Sequence, residues 1–191
     1  MMNTDSASET LPPTSIVVKV GGSLYDHPAL GPGLCQYLAM LDTRSILIVP
    51  GGGPFADVVR DLDRLHQLGE SAAHQIALAS LQAARAFMTE HSPGYEILDA
   101  QRFCATADAL PHCWSVTTDS IALQAAIIHQ ARRLIVLKSI DIPVTCSWTD
   151  AATRGWIDPF FPTLAASSSV SIHCLNFRDW LNRHFTDTGF R

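Results

Sequence analysis

Lysine is nearly absent from this sequence. Of its 13 Lys and Arg residues only Lys19 and Lys138 are lysine, so arginine is the general cation of the chain. Both lysines lie at the ends of short apolar runs, and small residues follow each of them. A compact ammonium group beside a glycine turn can hold a phosphate as a point charge. A bias from lysine to arginine explains the scarcity but not this placement, which favours an anion-binding role.

Other scarcities exclude whole classes of protein. The net charge of −5 and the scattered arginines argue against a nucleic-acid surface, which needs a basic patch. The five cysteines are dispersed without a Cys-x-x-Cys pair, so we predict no metal site and reduced thiols in a cytoplasm. No apolar run approaches the length of a membrane span, and residues 1–14 are polar without a signal-peptide core. We interpret residues 1–14 as a disordered tail and predict neither a membrane nor a nucleic-acid partner.

The remaining residues, 15–191, have the composition of one globular domain, with 47% hydrophobic and 16% charged residues. Apolar strand-like runs alternate with helical segments, a pattern that predicts a three-layer α/β fold around a mainly parallel sheet. The predicted strands are 15–20, 45–49, 95–98, 134–138 and 170–173. The predicted helices are 29–41, 55–68, 72–90, 119–130, a short piece after 159, and 177–185, while 101–113 stays unassigned and 148–150 is expected to be a loop. Gly69 is expected to end the second helix, Ser71 could cap the third, and Thr117-Thr118 is expected to cap the helix at 119–130.

Two glycine turns follow the first two predicted strands. Gly21-Gly22-Ser23 comes after the first, and Pro50-Gly51-Gly52-Gly53 comes after the second. Glycine lets the backbone approach a ligand and point several N–H groups at one anion. The carboxyl ends of neighbouring parallel strands face one crevice, where open α/β sheets bind ligands. An ordinary tight turn and a flexible loop are the alternatives, and the chain matches neither the Walker nor the Rossmann glycine pattern.

A carboxylate is expected near these turns. Thr117-Thr118-Asp119-Ser120 opens a predicted helix, and an acidic residue in a first turn also suits the helix dipole. Asp119 is therefore either part of a plain helix start or an anchor that orients Lys19 or a substrate group. Lys138 is either a partner in the same site or a strand-end lysine whose head reaches water.

Together these segments resemble the amino acid kinase superfamily, which includes acetylglutamate kinase, aspartokinase, carbamate kinase and bacterial uridylate kinase. The resemblance rests on Lys19-Val20-Gly21-Gly22-Ser23-Leu24, Pro50-Gly51-Gly52-Gly53, Thr118-Asp119-Ser120 and Leu137-Lys138-Ser139, whose order and spacing fit over some two thirds of the chain. Tyr25-Asp26-His27-Pro28 and Leu137-Lys138-Ser139-Ile140-Asp141 are most similar to the short archaeal-type branch that phosphorylates an aminomethylfuran phosphate in methanofuran biosynthesis.

The resemblance implies an αβα sandwich with a shortened C-terminal half, in which about 15–133 bind the acceptor and about 134–191 bind the nucleotide. It implies transfer of the ATP γ-phosphoryl group, with Mg²⁺, to a phosphate or carboxylate oxygen of a small anionic metabolite. The implied catalytic residues are Lys19, Asp119 and Lys138, and the phosphate- or substrate-binding residues are Gly21, Gly22, Ser23, Gly51, Gly52, Gly53, Thr118 and Ser139. An Ala-rich helix at 72–86 suits close packing against a second subunit, so we predict a homodimer or higher homo-oligomer.

The chain also departs from the family pattern. It has no Gly-Gly-Met-x-x-Lys segment and no lysine after Lys138, so Arg154 and Arg178 are the candidates for a replacement charge. Asp158 is expected to cap a helix rather than to contact Mg²⁺ or ribose. The shortened C-terminal half motivates an alternative hypothesis, a degenerate non-catalytic member that binds a metabolite or acts as a subunit.

Overall fold

The computed structural model describes residues 16–43, 45–106, 110–111 and 113–185, and the predicted tail lies outside this range. Its centre is a five-stranded sheet in the order β3-β2-β1-β4-β5, in which every pairing is parallel. The strands are β1 Ile16–Val20, β2 Ile46–Pro50, β3 Glu96–Ile97, β4 Arg133–Lys138 and β5 Ser171–Asn176. The predicted parallel αβα architecture is therefore confirmed.

Eight α-helices and one 3₁₀ turn, Gly22–Leu24, connect these strands within the described residues. The helices are α1 Leu30–Ala39, α2 Gly53–His66, α3 Glu70–His91, α4 Ala100–Thr106, α5 Thr118–Ile128, α6 Trp148–Thr153, α7 Phe161–Ala166 and α8 Phe177–His184. None of them combines the length and the apolar character that a membrane crossing requires. All five cysteines are free thiols.

Two apolar cores lie on opposite faces of the sheet, because the central strands are buried along their whole length. Val17 packs on one face with side chains of α3, α4, α5 and α7. Ile16 and Val18 pack on the other face with α1, α8 and the end of α3. Side chains alternate along a strand, so Lys19 shares the face of Val17 and points towards α5.

Three local predictions were wrong. The segment 148–150 is not a loop but the start of α6, since Ser147 Oγ accepts the Asp150 N–H at 3.0 Å and caps the helix. Helix α2 ends at His66 and is followed by Gln67, whose left-handed φ of 51° closes it, so Gly69 does not terminate it. Gly69 instead precedes α3 as its N-cap, the role that Ser71 could have taken.

Candidate active site

The two lysines of the chain share one carboxylate. Lys19 Nζ lies 2.7 Å from Asp119 Oδ1, and Lys138 Nζ lies 2.7 Å from Asp119 Oδ2. The side chains of Lys19 and Asp119 are each 6% exposed and that of Lys138 is 12% exposed, so the cluster is almost closed to water. Two cations and one anion leave a net charge of +1 at the carboxyl edge of the sheet.

Three secondary-structure elements assemble this cluster. Lys19 stands near the end of β1 between Val49 of β2 and Val136 of β4, in the middle of the sheet. Lys138 ends β4. Asp119 lies in the first turn of α5, whose start is set by Thr117, because the Thr117 side chain accepts the Asp119 N–H.

Burial and mutual charge shift the pKa values within the cluster. Burial lowers the pKa of Lys19 below the usual 10.5, and Lys138 lowers it further, while Asp119 opposes both effects. Burial alone would raise the pKa of Asp119, but the two ammonium groups outweigh it and lower that pKa to about 2. Asp119 therefore stays ionised at any pH where the protein is expected to work.

The two glycine turns are in backbone contact. A Cβ built on Gly22 would lie far closer to Gly53 N than van der Waals contact allows, and one on Gly51 would lie 2.7 Å from Val20 O. Gly53 also has a left-handed φ of 50°. Side chains cannot be accommodated here, so the requirement for glycine comes from the contact between the turns.

Two of the five glycine N–H groups that were expected to meet a ligand are already used. Gly21 N–H donates to Leu137 O at 2.8 Å, and Gly51 N–H donates to Val20 O at 2.7 Å. These bonds extend the sheet pairing beyond the strand ends, so the N–H groups of Gly21 and Gly51 already have backbone partners in this structure. Gly22, Gly52 and Gly53 remain candidate donors, and α2 begins at Gly53, where a helix leaves its first N–H groups without intrahelical partners.

Side chains hold the turns in place. Tyr25 Oη donates to Gly51 O at 2.5 Å, and its ring packs against Phe55 and Phe87. The hydroxyls of Ser23 and Ser139 are hydrogen-bonded at 2.9 Å, which joins the first glycine turn to the residue after Lys138. Ser139, which was predicted to bind phosphate or substrate, thus lies against the first glycine turn.

A cavity of about 530 Å³ opens beside the cluster. Lys19, Gly22, Ser23, Gly52, Gly53 and Thr118 form its polar end. The amino ends of α2 and α5 both reach this end, and the positive ends of helix dipoles favour anions. Gly51 also lines the cavity, whereas Gly21, Lys138 and Ser139 lie outside its lining. Asp119 is outside the lining as well, so Lys19 is the member of the charged cluster that faces the cavity.

Apolar side chains also line the cavity, among them Leu78, Leu81, Ile121 and Trp114. The Trp114 indole N–H donates to Asp63 Oδ2 at 2.8 Å, and the Arg60 guanidinium lies 5.4 Å from the ring centroid. Trp114 was not predicted from the sequence, because it follows residues 101–113, which no periodic pattern describes.

Asp158 fixes the start of α5 from the C-terminal half. Its Oδ2 accepts the N–H and hydroxyl of Thr117 and the N–H of Ser120, and its Oδ1 accepts the Ser120 hydroxyl. Oδ1 also accepts the N–H groups of Phe160 and Phe161 at the start of α7. The expected capping role is thus observed, and six donors occupy both carboxylate oxygens. Asp158 therefore positions Asp119 indirectly, through its hydrogen bonds to Thr117 and Ser120.

The two arginines considered as replacement charges lie in different places. Arg178 lines the cavity with Lys19. Arg154 ends α6 and lies 5.0 Å from the Trp156 ring centroid, outside the cavity lining. In the described ranges, no group of three or more His, Cys, Asp and Glu side chains is placed to hold a metal ion.

No protein-family model matches the chain, but it is similar to a curated protein in sequence and to solved structures in fold. The chain is 30% identical over 143 residues to the [5-(aminomethyl)furan-3-yl]methyl phosphate kinase of Methanocaldococcus jannaschii. That match covers 65% of this chain and 66% of the relative, just under two thirds of its length. The structure is similar to the crystal structure of uridylate kinase from Archaeoglobus fulgidus, with a TM-score of 0.61 and 15% identity. This similarity covers 84% of this chain and 90% of the other, and it shows a shared fold.

Proposed function

We propose that the chain belongs to the amino acid kinase superfamily and transfers the ATP γ-phosphoryl group to an anionic oxygen of a small metabolite, since it is similar to a phosphate kinase in sequence and to a uridylate kinase in fold. One observation carries this proposal: both lysines of the chain converge on Asp119 beside two touching glycine turns. A site that joins two anions needs positive charge and tight positioning more than it needs an acid or a base. The roles of the candidate site residues follow from this requirement.

Lys19 is the ammonium group that contacts the transferring phosphoryl group, because it is the lysine that lines the cavity. Asp119 holds Lys19 in position, and Lys138 offsets the charge of Asp119 so that the cluster keeps its net +1. Without Lys138, the Lys19–Asp119 pair would be neutral and would attract an anion less strongly. The N–H groups of Gly22, Gly52 and Gly53, with Ser23 and Thr118, bind phosphate oxygens at the same end.

The acceptor is already anionic at neutral pH, so no general base is required. An acceptor oxygen forms a bond to the γ-phosphorus, and the bond from that phosphorus to the β–γ bridging oxygen breaks. The leaving electron pair stays on ADP, and the product of a phosphomonoester acceptor is a diphosphate. Positive groups aimed at the transferring phosphoryl group stabilise its charge, and one such group typically contributes about 10²–10³ in rate.

The lining of the cavity combines cationic groups with apolar side chains, which favours an acceptor with one phosphate and an apolar ring. The phosphate fits the end formed by Lys19 and the glycine turns, and the ring fits against Trp114 and Leu81. The volume of about 530 Å³ is typical of a small-metabolite site. The M. jannaschii relative is named for a furan that bears such a phosphate, and we propose an acceptor of this class, as in methanofuran-type cofactor biosynthesis.

We assign residues 15–133 to acceptor binding and 134–191 to nucleotide binding. The nucleotide phosphates would approach from the carboxyl ends of β4 and β5, next to Lys138 and Ser139. Mg²⁺ would enter with ATP, held by the phosphates, since the described side chains include no metal-binding cluster and the cavity end is cationic. The predicted cytoplasmic location and homo-oligomer stay predictions, and light scattering measures the oligomer.

The test is ³¹P NMR of the full chain mixed with ATP, Mg²⁺ and [5-(aminomethyl)furan-3-yl]methyl phosphate. We expect ADP and a new pair of coupled diphosphate resonances, with the acceptor monophosphate consumed in equal amount. A matched reaction without acceptor should leave ATP intact. Unchanged ATP together with calorimetric binding of the acceptor would reject the kinase and support the non-catalytic alternative.

A further inference from the structure

A second cation faces the cavity from the C-terminal half of the chain. Arg178 lines the same cavity as Lys19, Gly22 and Ser23, and its side chain is 32% exposed. It is the residue after Phe177, the first residue of α8, and Lys138 of β4 pairs with Asn176 at the end of β5. The topology therefore brings Arg178 to the edge of the sheet where β4 ends, on the side assigned to the nucleotide.

The present partners of Arg178 are weak competitors for an anion. Its Nη2 donates to Ser23 O and to Asp26 Oδ1, each at 2.5 Å. The Asp26 side chain is 70% exposed, and ion pairs with exposed carboxylates contribute little. A phosphate carries more charge and offers a guanidinium two parallel hydrogen bonds, so it can displace a single carboxylate oxygen.

The contact with Ser23 keeps the guanidinium next to the glycine turn. Ser23 follows Gly22, which touches Gly53, and the Ser23 hydroxyl reaches Ser139 beside Lys138. Arg178 is thus held by a backbone carbonyl at the junction between the two halves of the site, while its ionic partner is a replaceable surface carboxylate. This arrangement fits a residue that exchanges Asp26 for a ligand without leaving its place.

We propose that Arg178 is a further catalytic residue, which releases Asp26 and binds the transferring phosphoryl group from the side of α8. This inference rests on the proposed phosphotransfer. It gives the chain a cation in place of the lysine that is absent after Lys138, and it selects Arg178 over Arg154, whose guanidinium lies over Trp156. Lys19 and Arg178 then contact the same phosphoryl group from two elements of the fold.

The first test measures anion binding and needs no turnover. Calorimetry with inorganic pyrophosphate compares the full wild-type chain with Arg178→Met, Arg178→Lys and Arg183→Met. Arg183 is the matched control, since it lies on the same helix and pairs with Asp179, but its side chain is 73% exposed. We expect Arg178→Met to bind pyrophosphate about 10–100-fold more weakly, Arg178→Lys to recover part of that loss, and Arg183→Met to match wild type.

Asp26→Asn provides a change of opposite sign. If Asp26 competes with the ligand for Arg178, its neutralisation should tighten pyrophosphate binding by about 2–5-fold. Circular dichroism should show wild-type folding for each variant, because both side chains of the pair are partly or largely exposed. Equal pyrophosphate affinity in wild type and Arg178→Met, or no pyrophosphate binding by wild type, would overturn the inference.

A kinetic measurement separates the transferring group from the acceptor's own phosphate. We expect Arg178→Met to lower kcat by about 10²-fold or more at saturating substrates. A rise in acceptor KM with unchanged kcat would place Arg178 on the acceptor and contradict this assignment. Wild type without turnover would reject the proposed function, whereas the pyrophosphate titration would still decide whether Arg178 binds anions.

Discussion

The ammonium group of Lys138 lies 2.7 Å from Asp119 Oδ2, although Lys138 ends a strand and Asp119 begins a helix. Lys19 occupies the other oxygen of the same carboxylate. Both lysines of the chain thus form ion pairs with one buried carboxylate. One carboxylate cannot neutralise two buried ammonium groups, and the remaining positive charge is costly without an anion, so this arrangement suits a site that attracts anions.

Replacement of Asp119 by Asn should unfold the protein more easily. Two buried ammonium groups would lose their counter-charge, and breaking a buried ion pair typically costs about 3–5 kcal/mol. Urea unfolding followed by circular dichroism measures the loss. Asp42→Asn is the matched control, because Asp42 also bridges two cations, Arg132 and Arg133, but at the surface. A loss for Asp119→Asn no larger than that for Asp42→Asn would contradict the charge balance described here.

The activity should decline with rising pH at a lower pH than the pKa of an exposed lysine would set. Lys19 must carry its proton to attract the phosphoryl group, and burial lowers its pKa below 10.5. As pH rises through that lowered pKa, the charged fraction falls, and kcat/KM falls with it. Burial raises the pKa of Tyr25, so Tyr25 does not titrate in the same range. A pH–rate profile checks this, and an alkaline limb at or above 10.5 in folded protein would count against Lys19.

Replacement of Gly22 by Ala should disrupt the contact between the glycine turns. The added Cβ would collide with the backbone of Gly53, which cannot move like a flexible side chain. We expect a loss of more than about 3 kcal/mol in unfolding free energy, at the upper end of overpacking effects. Gly94→Ala is the control, since its Cβ meets nothing within 4 Å and only its left-handed φ of 85° is strained. Similar losses of unfolding free energy for the two variants would show that the two turns can move apart, and would contradict this prediction.

Asp158→Asn should reduce stability without changing the Mg²⁺ dependence of the reaction. An amide cannot accept all the hydrogen bonds that the carboxylate accepts, and a buried donor left without a partner costs about 1–3 kcal/mol. Urea unfolding and a Mg²⁺ titration of the rate measure the two effects. Asp150→Asn, at the exposed cap of α6, should cost less. A large rise in the Mg²⁺ requirement would instead make Asp158 a metal ligand.

Local patterns were sufficient to predict the sheet and the polar end of the cavity. Buried parallel strands read as continuous apolar runs, and β1, β2 and β4 are such runs. The lysines and the glycine turns lie at the carboxyl ends of these strands. Because the strands are parallel, their carboxyl ends meet at one edge of the sheet, and the position of the site could be predicted. Thr117 was recognisable as a cap because its side chain and position have the usual form.

What depends on contacts between distant residues was not predictable. The use of the Gly21 N–H follows from its pairing with Leu137, which no local pattern encodes. Trp114 becomes part of the cavity through Asp63, 51 positions earlier in the chain. The choice between Arg178 and Arg154 depends on where β5 ends. The start of α6 is different, since Ser147 and Asp150 form a local capping pair that the sequence displays.

The rate of phosphoryl transfer by Lys19→Met, compared with wild type at saturating ATP and acceptor, tests the central claim most directly. Methionine has a similar length without charge, so circular dichroism should show a folded protein. We predict a fall in kcat of about 10²–10³, the usual effect of removing one group that stabilises the transferring charge. A folded Lys19→Met protein that transfers phosphate at the wild-type rate would contradict the account.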